Sequence, residues 1–230
     1  MALEVLKGNT QFRYGISNPE QLEQWLQENP NAIGVSFVGR SNVGKSSTIN
    51  SLFGKAAARV SKTPGRTREV NIFTFEIGEK GKSEDDLPPL FFYDLPGYGH
   101  AKVSKDMSDN WDQLMGHFFQ LASRHTLMVN IQDARHPNQK SDQEFHDYLK
   151  GQKFETFVVF NKLDKLKKQS ERAALNKLKP LLFKEFKWVR QIHFISAESG
   201  QGMDQLLGSI ITFVLDRAAL QKKIEEEKGN

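Results

Sequence analysis

Apolar positions along the chain follow two rhythms: short continuous runs, and longer stretches spaced by three and four. Runs of the first kind occupy 33–38 (IGVSFV), 70–77 (VNIFTFEI), 90–93 (LFFY), 126–132 (TLMVNIQ), 156–160 (TFVVF) and 191–195 (QIHFI). Each is short, bounded by polar or chain-breaking residues, and predicts a strand. Stretches of the second kind predict helices. Asn18 caps the first, Pro19 fits its first position, and Leu22, Trp25 and Leu26 form its apolar stripe before Asn29-Pro30-Asn31 ends it. Further helices are predicted over 47–53, about 104–124, 141–150, about 169–186, and from 203 to about 222. Residues 1–17 read as mixed and extended, and 56–69 as a polar loop. The charged, breaker-rich 78–89 (GEKGKSEDDLPP) reads as an exposed, mobile connection.

Strands alternating with helices predict an α/β fold of three layers, a mostly parallel six-stranded sheet with helices on both faces. At 230 residues the chain suits one domain with small appendages. The expected division is an N-terminal extension with a short helix (1–30), a main domain (31–218) and a charged tail (219–230). The chain has no cysteine, which excludes disulfides, thiolate metal sites and cysteine nucleophiles. The stretch MALEVLKGNTQF carries no secretion pattern, and no run approaches a membrane span, so a cytoplasmic protein without membrane contact is expected. A net charge of +4 permits nucleic acid as a partner without requiring it.

Four motifs begin at the ends of predicted strands, where α/β sheets bind ligands. The first is Gly39-Arg40-Ser41-Asn42-Val43-Gly44-Lys45-Ser46-Ser47, which fits G-x-x-x-x-G-K-[ST] between a strand and a helix. Its backbone N–H groups can ring a phosphate chain at a helix N-terminus. Lys45 would reach the β- and γ-phosphates, and the Ser46 hydroxyl would take one Mg²⁺ position. The second, Asp94-Leu95-Pro96-Gly97, offers a carboxylate to the Mg²⁺ shell. Without a Cβ, Gly97 can bring its N–H against a γ-phosphate. By itself this segment is equally well explained as a turn.

The third motif, Asn161-Lys162-Leu163-Asp164, selects the base. Guanine presents N1–H and an N2 amine that Asp164 can accept together, whereas adenine lacks the amine and turns an acceptor toward the carboxylate. Asn161 can tie the loop together, and the Lys162 stem can cover a base face. The fourth, Ile195-Ser196-Ala197, would place the Ala197 N–H at guanine O6 and gains meaning only beside the others. Thr63 and Thr67, in the loop Thr63-Pro64-Gly65-Arg66-Thr67-Arg68-Glu69, are candidates for the hydroxyl that closes over Mg²⁺ and γ-phosphate; Thr67 is favoured. Lys45, Thr67 and Gly97 are the groups expected to act on the reacting phosphate.

The wording GRSNVGKSS, TPGRT, DLPGYGHAKV, NKLD and SA resembles that of the bacterial ribosome-assembly GTPases of the EngB family, among the translation-factor-related GTPases. The resemblance spans roughly residues 15–215. It implies a monomeric GTPase domain that binds GTP and GDP with Mg²⁺, assists maturation of the large ribosomal subunit, and is needed for normal growth and division. It also matches Thr67 to the metal-and-switch threonine, Ser46 to the other magnesium hydroxyl, and Asn42 to an asparagine linked with K⁺-stimulated hydrolysis. Two departures stand out: His100 replaces a common tyrosine, and the 78–89 segment is longer than usual.

Where Ras-like GTPases carry a water-orienting glutamine after D-x-x-G, this chain has Tyr98, so slow unaided hydrolysis is expected. Tyr98 reads equally as a catalytic part or as a surface aromatic packed on the following helix. Asp133-Ala134-Arg135-His136-Pro137 reads as a strand-end turn with a local Asp–Arg pair rather than a catalytic group. The lysine tract of 162–187 reads first as a solvated face with Phe183, Phe186 and Trp188 in the core, and second as an RNA contact. Two other functions stay open: a nucleotide-gated binding module with incidental hydrolysis, and a kinase or ATPase, which NKLD disfavours.

Overall fold

A computed structural model describes residues 3–54, 69–84, 86–98, 105–122, 125–152, 154–185 and 189–229. The strands are β1 (Glu4–Val5), β2 (Gln11–Ile16), β3 (Ile33–Gly39), β4 (Val70–Thr74), β5 (Ile77–Glu79), β6 (Lys82–Ser83), β7 (Leu90–Asp94), β8 (Thr126–Asp133), β9 (Glu155–Asn161) and β10 (Val189–Phe194). The α-helices are α1 (Pro19–Glu28), α2 (Lys45–Phe53), α3 (Lys105–Ala122), α4 (Lys140–Leu149), α5 (Gln169–Glu185) and α6 (Met203–Gly229). The main sheet runs β10-β9-β8-β3-β7-β4-β2, with β3, β7, β8, β9 and β10 parallel.

β3 sits at the centre because every residue of it is buried, so it needs a covered face on both sides. Ile33, Val35 and Phe37 join Ile49, Leu52 and Phe53 of α2 and Leu206, Ile210 and Val214 of α6. On the opposite face Val38 joins α1, α3 and α4 through Leu22, Phe118, Phe119 and Phe145. α5 covers Val158 and Phe160, which by strand alternation face away from Phe157 and Val159. Asn18 caps α1 as expected, its Oδ1 accepting the Gln21 N–H at 2.8 Å. The sheet therefore has the expected α/β, mostly parallel, helix-covered form.

Four local expectations are corrected. Among the described residues the main sheet has seven strands, not six, because Gln11–Ile16 pairs antiparallel with β4 and covers its free edge. Residues 70–77 do not form one strand: after β4 the chain breaks and β5 turns through Lys80 and Gly81, both with positive φ, into β6. Part of 78–89 is thus a small hairpin that also pairs with β1, rather than only a connection. Finally, α6 continues to Gly229, seven residues beyond the predicted 222. Among the described residues, no helix is long and apolar enough to cross a membrane.

Two histidines make stability depend on pH. Burial holds the His146 imidazole down to about 4, partly offset by Asp142 and Asp147. Burial, then Lys179, holds His193 down to about 4 as well. The unfolded chain protonates its histidines near pH 6.5 while the folded chain keeps them neutral, so stability is full above pH 6.5 and falls as pH drops toward 4. His146 alone should cost about 2 kcal/mol by pH 5. Urea unfolding at pH 7.5 and pH 5 should show that loss; equal stabilities would rule it out.

Candidate nucleotide-binding site

The turn after β3 is built by residues that accept unusual backbone angles. Asn42 and Gly44 both have positive φ, 63° and 93°. A side chain at Gly44 would be strained and would collide with Asn161 Nδ2. Gly39 is equally confined, since a Cβ there would meet the Ile131 carbonyl. α2 begins at Lys45 straight from this turn, so its first N–H groups face the space the turn encloses.

At the floor of that space Lys45 Nζ forms an ion pair with Asp94 Oδ1 at the end of β7, and both side chains are nearly buried. β7 is neighbour to β3 and Leu95 N–H donates to Phe37 O at 3.0 Å, which brings the Asp94 segment beside the turn. Gly97 follows against it: a Cβ at Gly97 would be 2.9 Å from Gly39 O. Sequence spacing predicted Lys45 and Asp94 as separate phosphate and metal groups; the fold joins them as a pair.

The loops that follow β9 and β10 are organised by Asn161 at the end of β9. Its Nδ2 donates to Val43 O at 3.0 Å, and its Oδ1 accepts the N–H of Lys162 at 2.8 Å and of Ala197 at 3.0 Å. One side chain thus binds three of the four predicted loops together. The Ala197 N–H, expected at guanine O6, is engaged here by Asn161 instead. Lys162, with φ of 72°, stretches to Asn42 O and to Asp133 Oδ2, the latter at 2.9 Å. Asp164 Oδ1 accepts the Ser196 hydroxyl at 2.6 Å. That hydrogen bond holds its pKa below the usual carboxylate value despite partial burial, with Lys165 assisting, so Asp164 is an ionised acceptor. Leu163 N–H donates to Ile195 O at 3.1 Å and holds this pair of loops in register.

Asp133 is the residue the sequence reading undervalued. The predicted local pair with Arg135 is present, through Nε at 2.9 Å and Nη2 at 2.6 Å. The same carboxylate also anchors Lys162. Burial pushes its pKa up, yet hydrogen bonds from Arg135 and Lys162 outweigh that and hold it far below the usual range. No signal short of the fold connects positions 133 and 162.

Other expectations divide. The Arg40 side chain turns away from the phosphate turn, toward Asp142 and the His136 carbonyl. Tyr98 is buried against α4 rather than on the surface. Phe183 is 36% exposed and Leu181 59% exposed, so Phe183 is not in the core. Lys165, Lys167, Lys168, Lys177 and Lys184 are exposed, while Lys179 lies over the Phe194 ring. Thr63, Gly65, Arg66, Thr67, Arg68, His100, Phe186, Lys187 and Trp188 lie outside the described residues.

Comparison with known proteins agrees with this geometry. Residues 34–162 match the family described as 50S ribosome-binding GTPase. The chain is 41% identical over 183 residues to "Probable GTP-binding protein EngB" of Brucella melitensis, covering 77% of this chain and 73% of that one. It is similar to the crystal structure of a probable GTP-binding protein engB, with a TM-score of 0.57, 26% identity, and coverage of 80% and 99% of the two chains. It also shares the fold of Era solved with MgGDPNP and nucleotides 1506-1542 of 16S ribosomal RNA, with a TM-score of 0.62 and 24% identity. That alignment covers 79% of this chain and 56% of the Era chain, so the chain spans little more than half of Era's length.

Proposed function

This chain belongs to the EngB family of GTP-binding proteins, within the 50S ribosome-binding GTPases, and we propose that it is the GTP-driven switch of a step in large-subunit assembly. The observation that carries the reading is Asn161, whose single amide joins the phosphate turn to both base-side loops. A site braced in that way is preorganised for one nucleotide. The phosphate turn, 39–47, would bind the phosphates through its N–H groups and Lys45. Asp94-Leu95-Pro96-Gly97 would read the γ-phosphate through Gly97. Asn161-Lys162-Leu163-Asp164 and Ile195-Ser196-Ala197 would hold guanine, with 65–69 closing over the top. We take 31–218 as the GTPase domain, 1–30 as an extension and 219–230 as a charged tail.

The donors also suit magnesium: the Ser46 hydroxyl and the Asp94 carboxylate are the hard oxygens it takes, with Thr67 as a third. When bound, magnesium would offset charge on the β- and γ-phosphates. Lys45 would leave Asp94 for the phosphates, and the ring of N–H groups would hold the γ-phosphate in line. Asn42 has an exposed side chain at the tip of the turn, a fit for K⁺ beside the phosphates. K⁺ is accordingly expected to raise turnover over Na⁺, and Asn42→Ala to remove the difference; equal rates in both salts would sink that cofactor.

Exposed lysines on and before α5 support a ribosomal RNA contact that weakens with salt. Co-sedimentation with ribosomal subunits under GDP, GTP and a non-hydrolysable analogue tests the switch. Triphosphate-dependent binding to the large subunit is expected, and binding indifferent to nucleotide would overturn it. The alternative, a nucleotide-gated binding module, predicts the same docking but single-turnover hydrolysis that subunits do not accelerate. Cytoplasmic location and action as a monomer are part of the proposal.

A further inference from the structure

Arg40, Tyr98 and Asp142 come from three separate segments and meet in one cluster, with Tyr98 and Asp142 buried and Arg40 half-buried at its rim. Asp142 on the first turn of α4 is fully buried. Its Oδ1 accepts the Tyr98 hydroxyl at 2.8 Å, and both its oxygens accept Arg40 Nε, at 3.0 and 3.1 Å. Arg40 Nη2 also donates to His136 O at 2.9 Å. Asn130 Nδ2 of β8 donates to the Tyr98 hydroxyl at 2.9 Å, and the Tyr98 ring stacks on Phe145 at 4.3 Å. The backbones of Arg40 and Tyr98 form a parallel bridge. Burial, then the Asp142 charge, pushes the Tyr98 phenol up, so it stays protonated and donates.

None of these contacts touches the space enclosed by the phosphate turn, yet two of the three residues adjoin it. Arg40 follows Gly39, and Tyr98 follows Gly97, the residue whose N–H would meet a γ-phosphate. We propose that Asp142 is a positioning residue, clasping Arg40 and Tyr98 so that Gly97 is held at the γ-phosphate and residue 98 is kept out of the nucleotide space. The inference rests on the GTPase reading and deepens it. GDP has no γ-phosphate for Gly97 to meet, so the clasp would be felt by the triphosphate alone. It also means that the attacking water is oriented by a group other than residue 98.

The test compares GDP with the β,γ-imido GTP analogue by calorimetric titration of the full chain. Tyr98→Phe keeps the ring stack and removes only the hydroxyl. Asp142→Asn weakens the fork to Arg40. Each is expected to weaken the analogue about tenfold while GDP stays within about twofold, the scale of one hydrogen bond to a charged group. Single-turnover hydrolysis should slow in parallel. Arg40→Lys, which keeps charge but loses the planar fork, should act like Asp142→Asn, and pairing it with Tyr98→Phe should be less than additive. Equal losses for both nucleotides, or a lowered melting temperature with neither affinity changed, would overturn the clasp. Failure of the unaltered chain to bind either nucleotide would overturn the GTPase reading and the clasp with it.

Discussion

Asp164→Asn is expected to weaken GDP binding about 100- to 1,000-fold without unfolding the protein. Asp164 is ionised and its Oδ1 is fixed by the Ser196 hydroxyl. Two guanine donors, N1–H and the N2 amine, can meet its two oxygens only in that state. An asparagine replaces one acceptor by a donor, setting two donors against each other in a partly desolvated site, and such mismatches reach ~10⁴ in discrimination. The Ser196 hydroxyl can still donate to the amide oxygen, so the loop is retained. Xanthosine diphosphate, with a carbonyl in place of the amine, should bind the variant better than GDP does. Calorimetry with GDP, ADP and the xanthosine nucleotide measures all three. A loss below about tenfold would remove Asp164 from base selection.

Lys45→Ala should produce two separable losses. The first is nucleotide affinity, expected to fall by about 100-fold or more for the triphosphate, because the cation that would meet the phosphates is removed. The second is stability of the empty protein. Asp94 is nearly buried and paired with Lys45, and an uncompensated buried carboxylate costs about 3 kcal/mol. The double variant Lys45→Ala/Asp94→Asn should regain most of that stability and none of the affinity. Denaturant unfolding together with titration distinguishes the two; a double variant as unstable as the single one would mean that the pair carries no such weight.

These expectations were open to the sequence to different degrees, for physical reasons. The phosphate turn was legible because its demands are local: a positive φ at Gly44, crowding at Gly39, and a helix that starts at Lys45. The base-side loops were legible because each follows a buried apolar strand, and strand ends of a parallel sheet converge. The bracing was not. Asn161 reaching Val43, Asp133 holding Lys162, and Arg40 meeting Asp142 span 118, 29 and 102 positions of chain. Residue type says only that such side chains can form hydrogen bonds, not with which partner.

The edge strand β2 was hidden for a different reason. Phe12, Tyr14 and Ile16 do alternate with polar residues and glycine, but five of the six residues are exposed, so this short edge strand lacks the continuous apolar run that marks the buried strands. Tyr98 was left between a catalytic part and a surface aromatic because the partners that bury it, Asn130, Asp142 and Phe145, are distant in the chain. Phe183 shows the reverse error: aromatic character suggested a core position, but its place on α5 faces outward.

The most direct measurement is competition for the site between guanine and adenine diphosphates by the unaltered chain in magnesium buffer. Four loops tied together at one end of the sheet, with an ionised Asp164 among them as the proposed guanine acceptor, predict at least 1,000-fold preference for GDP, in line with hydrogen-bond discrimination of ~10⁴. Comparable affinities for GDP and ADP would contradict the account at its root.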